Sequence, residues 1–175
     1  MNQLQIDPKQ YKVYTNKNLE TLPQFKRLTS QQRTAIDTVS KVLPFRVNNY
    51  VVDELINWAD VPLDPIFQLT FPQEGMLSHT DFTCLQELRS SGAPDSEIAE
   101  AVKRIRLRMN PHPAGQMELN VPMVDGKEQP GMQHKYRETV LFFPSQGQTC
   151  HAYCTYCFRW AQFVGMDELK FANSE

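Results

Sequence analysis

Three cysteines, Cys150, Cys154 and Cys157, fall within eight residues of each other in the run TCHAYCTYCFRW, spaced C-x3-C-x2-C. Three thiolates on one short loop converge naturally on a single metal centre, so this segment is expected to be a loop built around something it binds. The loop follows Thr139–Phe143 (TVLFF), an apolar, β-branched run ended by Pro144. An apolar run without alternation predicts a strand buried on both faces, as in a parallel sheet or barrel. Such folds place ligands beyond the carboxyl ends of their strands, which is where the cysteines lie. A helix is expected to start at about Arg159.

Upstream of the strand the pattern is helical. Residues 1–27 are polar, with Pro8 and Pro23 as breakers, and read as an N-terminal arm. Thr29 and Gln32 form a candidate capping box for a first helix running to about Val42, where Pro44 interrupts. Val47, Tyr50, Val51, Leu55 and Ile56 suggest a second helix over Arg46 to Trp58. The stretch VPLDPIFQLTFPQ carries three prolines and is not expected to form a regular helix. A third helix is expected from Ser78 to Leu88 and a fourth from Ser96 to Met109, with Asp95 or Ser96 as cap. Residues Asn110 to Gln133, rich in Pro and Gly, read as a long covering loop. A lone strand lacks the partner that a βαβ unit needs, so the chain reads as stopping just after a larger α/β domain begins.

The length of 175 residues favours one domain, with two small ones possible. A net charge of −2 gives no electrostatic case for nucleic acid or an anionic membrane. No stretch approaches the roughly 20 apolar residues of a membrane span. The N-terminus has no apolar core of the kind a signal peptide needs, which points to a reducing, cytoplasmic setting. There, clustered cysteines read as metal or redox sites rather than disulfides. Cys84 stands apart on the third helix and reads as a small buried apolar residue.

Four thiolates usually hold an iron–sulfur cluster, and supplying three leaves one iron open to a small molecule. Aromatic residues around the cysteines limit solvent access, and Tyr156 could stack on a flat ligand such as a purine. A structural zinc site is the competing reading. It needs a fourth ligand, for which His151 is awkwardly adjacent to Cys150, while His134 or Cys84 would serve only if folding delivers them. A redox pair within Cys154-x-x-Cys157 is a third reading, and a chance cluster of thiols a fourth.

The cysteine spacing after a buried strand, with an aromatic just before the third cysteine, resembles the radical S-adenosylmethionine superfamily signature. Within that superfamily the surroundings are similar to the lysine 2,3-aminomutase family: Pro130, Gly131, His134, Tyr136 and the Val140–Phe143 strand upstream, Tyr153 in the loop, Arg159 after it, and the segment Asp64 to Gln68 (DPIFQ). The similarity covers most of the chain from about residue 45.

The resemblance implies that Cys150, Cys154 and Cys157 hold a [4Fe-4S] cluster whose open iron binds S-adenosylmethionine. One-electron cleavage of the sulfonium would give a 5′-deoxyadenosyl radical that takes hydrogen from the substrate. Pyridoxal phosphate would hold the substrate amine during its migration, although its lysine has no counterpart in this chain. Arg159 matches the position that pairs with a substrate carboxylate, a task suited to a bidentate guanidinium. Its alternative is a solvated arginine at a helix start. Trp160 and Ala161 stand where the lysine enzymes carry further arginines, so the substrate is expected to be a small amino acid not fixed as lysine. The implied partners are a reducing protein such as flavodoxin or ferredoxin, and a homo-oligomer is compatible. The expected fold class is α+β, mostly helical: an N-terminal helical region over 1–135, then over 136–175 the first strand and cluster loop of a partial (β/α) barrel, inactive in isolation. The rival function is a non-catalytic metal-binding module, with zinc or an electron-transfer cluster.

Overall fold

The computed structural model describes residues 10–109, 119–143, 150 and 152–154. Among these residues it is a mixed α+β structure with three small antiparallel two-stranded sheets and no closed barrel.

Helix α1 (Ser30–Val42) starts at the anticipated capping box. The Thr29 hydroxyl accepts the Gln32 N–H at 3.2 Å, and Gln32 Oε1 accepts the Thr29 N–H at 2.8 Å. Pro44 has no N–H to continue the helix, which leaves carbonyls at its end to be satisfied from elsewhere. Asn16 Nδ2 donates to Ser40 O at 3.2 Å, and Arg106 donates to Val42 O at 2.8 Å and Lys41 O at 3.0 Å. Burial among these groups draws the Arg106 guanidinium pKa down from its ordinary value.

Helices α3 (His79–Ser90) and α4 (Asp95–Met109) match the anticipated spans closely and pack on one side of α1. Ala35, Val39 and Val42 meet Phe82, Leu85, Ala101, Val102 and Ile105 there. Ser78 caps α3, accepting the Asp81 N–H at 3.1 Å. At the other end Gly92 sits at φ 69°, Ala93 N–H donates to Leu88 O at 2.9 Å, and Gly92 N–H to Arg89 O at 3.1 Å. This is a Schellman closure, and its left-handed residue disfavours a Cβ although the space around it is open. Gly92→Ala is expected to cost about 1 kcal/mol through backbone conformation alone, read as a lowered urea midpoint with unchanged slope.

The other side of α1 carries Ile36 into a second core, and here the structure corrects two expectations. Residues 10–27 are no polar arm. Strand β1 (Val13–Thr15) pairs with β2 (Arg46–Asn48), and two 3-10 turns, Leu19–Thr21 and Pro23–Arg27, bury Leu19 and Leu22. Leu22, Phe25 and Leu28 each donate an N–H to the apolar residue three positions earlier, at 3.0, 3.0 and 3.2 Å, so an apolar period of three becomes a 3-10 path. Nor do Arg46 to Trp58 form one α-helix. Val47 pairs with Tyr14 in the sheet, Asn48 Oδ1 accepts the Val51 N–H at 2.9 Å, and only a π-helical turn, Val51–Leu55, follows.

The proline-rich stretch also contains a short helix, α2 (Pro65–Thr70), where none was expected. Pro65 occupies its first turn, where a missing N–H costs nothing. Phe71 and Pro72 follow, ending it. Phe67 and Phe71 stack at 4.7 Å between centroids and, with Phe45 and Trp58, form the aromatic centre of this core.

Within the anticipated covering loop, residues 110–118 lie outside the described residues, and 119–131 hold a small hairpin. Its strands β3 (Met123–Val124) and β4 (Lys127–Glu128) are joined by Asp125 and Gly126, both at positive φ, as a type I′ turn requires. Strand β5 (Met132–Tyr136) then pairs antiparallel with β6 (Thr139–Phe142) across a two-residue turn. The strand read as partnerless thus has a neighbour, supplied by local hairpin closure. Among the described residues its Val140, Leu141 and Phe142 are 46%, 44% and 55% exposed rather than buried on both faces, while Phe143 is buried.

Candidate functional site

Among the described residues of the cysteine segment, Tyr153 contacts the N-terminal body. Tyr153 makes the attachment. Its backbone N–H donates to Leu69 O at 2.7 Å, and its hydroxyl donates to Pro44 O at 3.0 Å. Both acceptors lie at or just past a helix end, one closely followed by a proline and the other on a proline itself. Leu69 lies in the last turn of α2, where carbonyls lose their helical donors, and Gln73, four residues on, turns its N–H to Met76 Sδ at 3.4 Å instead. Pro44 sits in the link between α1 and β2. One tyrosine therefore takes a carbonyl from each of two segments flanking the aromatic core. Burial pushes the phenol well above its usual pKa range, so it stays a proton donor at neutral pH.

Cys150 and Cys154, on either side of this anchor, are exposed free thiols. Cys150 Sγ lies 3.5 Å from Ala152 N and 3.7 Å from Ala152 O. A backbone N–H directed at sulfur is one of the contacts that tunes a thiolate-bound cluster. Cys157, Tyr156 and Arg159 lie outside the described residues, as does His151. Among the described residues no three His, Cys, Asp or Glu side chains come together. His134 stands exposed on β5 with Nε2 3.4 Å from Arg137 O, so neither it nor Cys84 joins the two described cysteines in such a group. Cys84 is half-buried on α3, less enclosed than expected. The donor set in view is soft sulfur, accessible and not locked in a disulfide, which fits a thiolate-held metal group.

The Asp64–Gln68 segment is tied to this site through α2. Asp64 is buried and caps the helix, its Oδ1 accepting the Phe67 N–H at 2.7 Å and its Oδ2 the Asn57 N–H at 3.1 Å. The carbonyls of Leu69 and Pro44 were not foreseeable as site components. Pro44 and Pro72 were the available signal, since each proline withholds a donor near the chain end of a helix.

No protein-family model, curated protein or solved structure matches this chain. Among the described residues no helix is long and apolar enough to cross a membrane.

Proposed function

We propose that this chain carries the cluster loop of a radical S-adenosylmethionine enzyme that migrates an amino group on an amino acid. The observation that carries the reading is the C-x3-C-x2-C run, whose two described thiols stand free and exposed on either side of an anchored tyrosine. Cys150, Cys154 and Cys157 would hold a [4Fe-4S] cluster, with Ala152 N–H directed at the first sulfur. When bound, that cluster supplies the electron for reductive cleavage of S-adenosylmethionine. Tyr156 would offer its ring to the adenine, and Arg159 would pair with the substrate carboxylate through two parallel hydrogen bonds. Pyridoxal phosphate would hold the substrate amine, and a flavodoxin or ferredoxin would deliver the electron in the cytoplasm. The exposed apolar strand β6 supports a place for it inside a partial β/α barrel, where further strands would cover it.

Anaerobic reconstitution with iron and sulfide tests the reading. About four irons and as many sulfides per chain are expected, lost in Cys154→Ala, with the cluster spectrum shifting on addition of S-adenosylmethionine. One zinc and no sulfide would identify a structural metal module instead. A cluster blind to S-adenosylmethionine would identify an electron carrier.

A further inference from the structure

We infer that Tyr153 is a positioning residue that makes the spacing of Cys150 and Cys154 a property of the folded N-terminal body. The inference rests on reading these cysteines as metal ligands, but not on which group they hold. Tyr153 is the residue immediately before Cys154 and lies three positions after Cys150. Its two bonds run to different segments, the end of α2 and the link after α1, so they fix the orientation of the loop as well as its distance. A single bond would leave the loop free to swivel about it. The two acceptors lie far from Tyr153 in sequence and close to each other through the core, because Phe45, next to Pro44, packs against Phe71, two residues after Leu69, at 5.1 Å. The aromatic core thereby sets the separation of the two carbonyls, and the carbonyls set the loop. Preorganised ligands bind more tightly because less loop entropy is lost on binding.

Tyr153→Phe removes the hydroxyl bond while keeping the ring and the backbone N–H. Two measurements on the reduced, metal-free chain test the inference. In hydrogen exchange, the peptide carrying Cys150, Tyr153 and Cys154 is expected to exchange about fivefold faster in the variant, matching one lost hydrogen bond, with α1 and α2 unchanged. In titration with Co(II), followed by its thiolate charge-transfer absorbance, affinity is expected to fall about fivefold, while the urea midpoint stays near wild type. Wild-type exchange in the variant, or faster exchange with unchanged Co(II) affinity, would overturn the positioning role. A wild-type chain that binds no Co(II) would overturn the ligand reading and this inference together. One that binds Co(II) but assembles no iron–sulfur cluster would overturn the radical-enzyme reading alone and leave Tyr153 its role.

Discussion

Phe71→Ala is expected to destabilise the fold by about 3–5 kcal/mol, a large share of the stability a domain of this size possesses. Phe71 is fully buried, stacks on Phe67 at an interplanar angle of 15°, tilts against Phe45, and receives Trp58 edge-on at 5.8 Å. Truncation therefore removes the ring shared by three aromatic contacts and leaves a void that neighbouring rings, already held by one another, cannot close. Urea denaturation should show the midpoint falling by about 2 M with little change of slope. Leu69→Ala, two residues earlier and 39% exposed, is expected to cost under about 1 kcal/mol, which separates the core from the helix that carries it. A loss below about 1 kcal/mol for Phe71→Ala would mean that the ring cluster does not organise this half of the molecule. The same truncation loosens the ends of α2 and of the α1–β2 link, and so is expected to weaken loop protection beyond the effect of Tyr153→Phe.

The parts of the fold legible in the sequence are those whose signals are local. Helices α1 and α3 carry side-chain caps at their starts and α4 carries 3.6-residue spacing, and the structure places all three within a few residues of expectation. The segment Leu19 to Leu28 was illegible because its apolar residues recur every three positions, between the strand and α-helix periods. Val47 reads as helical because Tyr50, Val51 and Leu55 extend its pattern, while its sheet partner Tyr14 lies far upstream. A strand whose partner is distant carries no sign of it locally. The exposure of β6 has the same root. Apolar runs report what a strand is suited to bury, and the described residues supply only β5 beside it. At the site, cysteine spacing was readable because ligands are side chains. The acceptors that hold the loop are backbone oxygens, which every residue has, so only folding reveals which two are used.

Asp64→Ala is expected to cost about 2 kcal/mol and to release the cysteine loop without touching it. The carboxylate is buried and accepts two backbone N–H groups, from Phe67 at 2.7 Å and Asn57 at 3.1 Å. Losing the cap on the buried Phe67 N–H costs about 1 kcal/mol, and losing the part-buried bond from the Asn57 N–H adds about 1 kcal/mol more. Asp64→Asn separates these contributions. Its amide oxygen can still accept the Phe67 N–H, but its NH2 then faces the Asn57 N–H, so about half the loss should remain. With α2 only six residues long, a lost first turn is felt at the last one, where Leu69 O receives Tyr153 N–H. Hydrogen exchange should therefore show the α2 and cysteine-loop peptides deprotected together in Asp64→Ala, with α3 and α4 protected as in wild type at low denaturant. Deprotection of α2 with a still-protected loop would show that Pro44 O alone suffices to hold Tyr153. Coupled loss would give Asp64 and Pro65, the capping and first-turn residues of α2, a physical connection to the thiols.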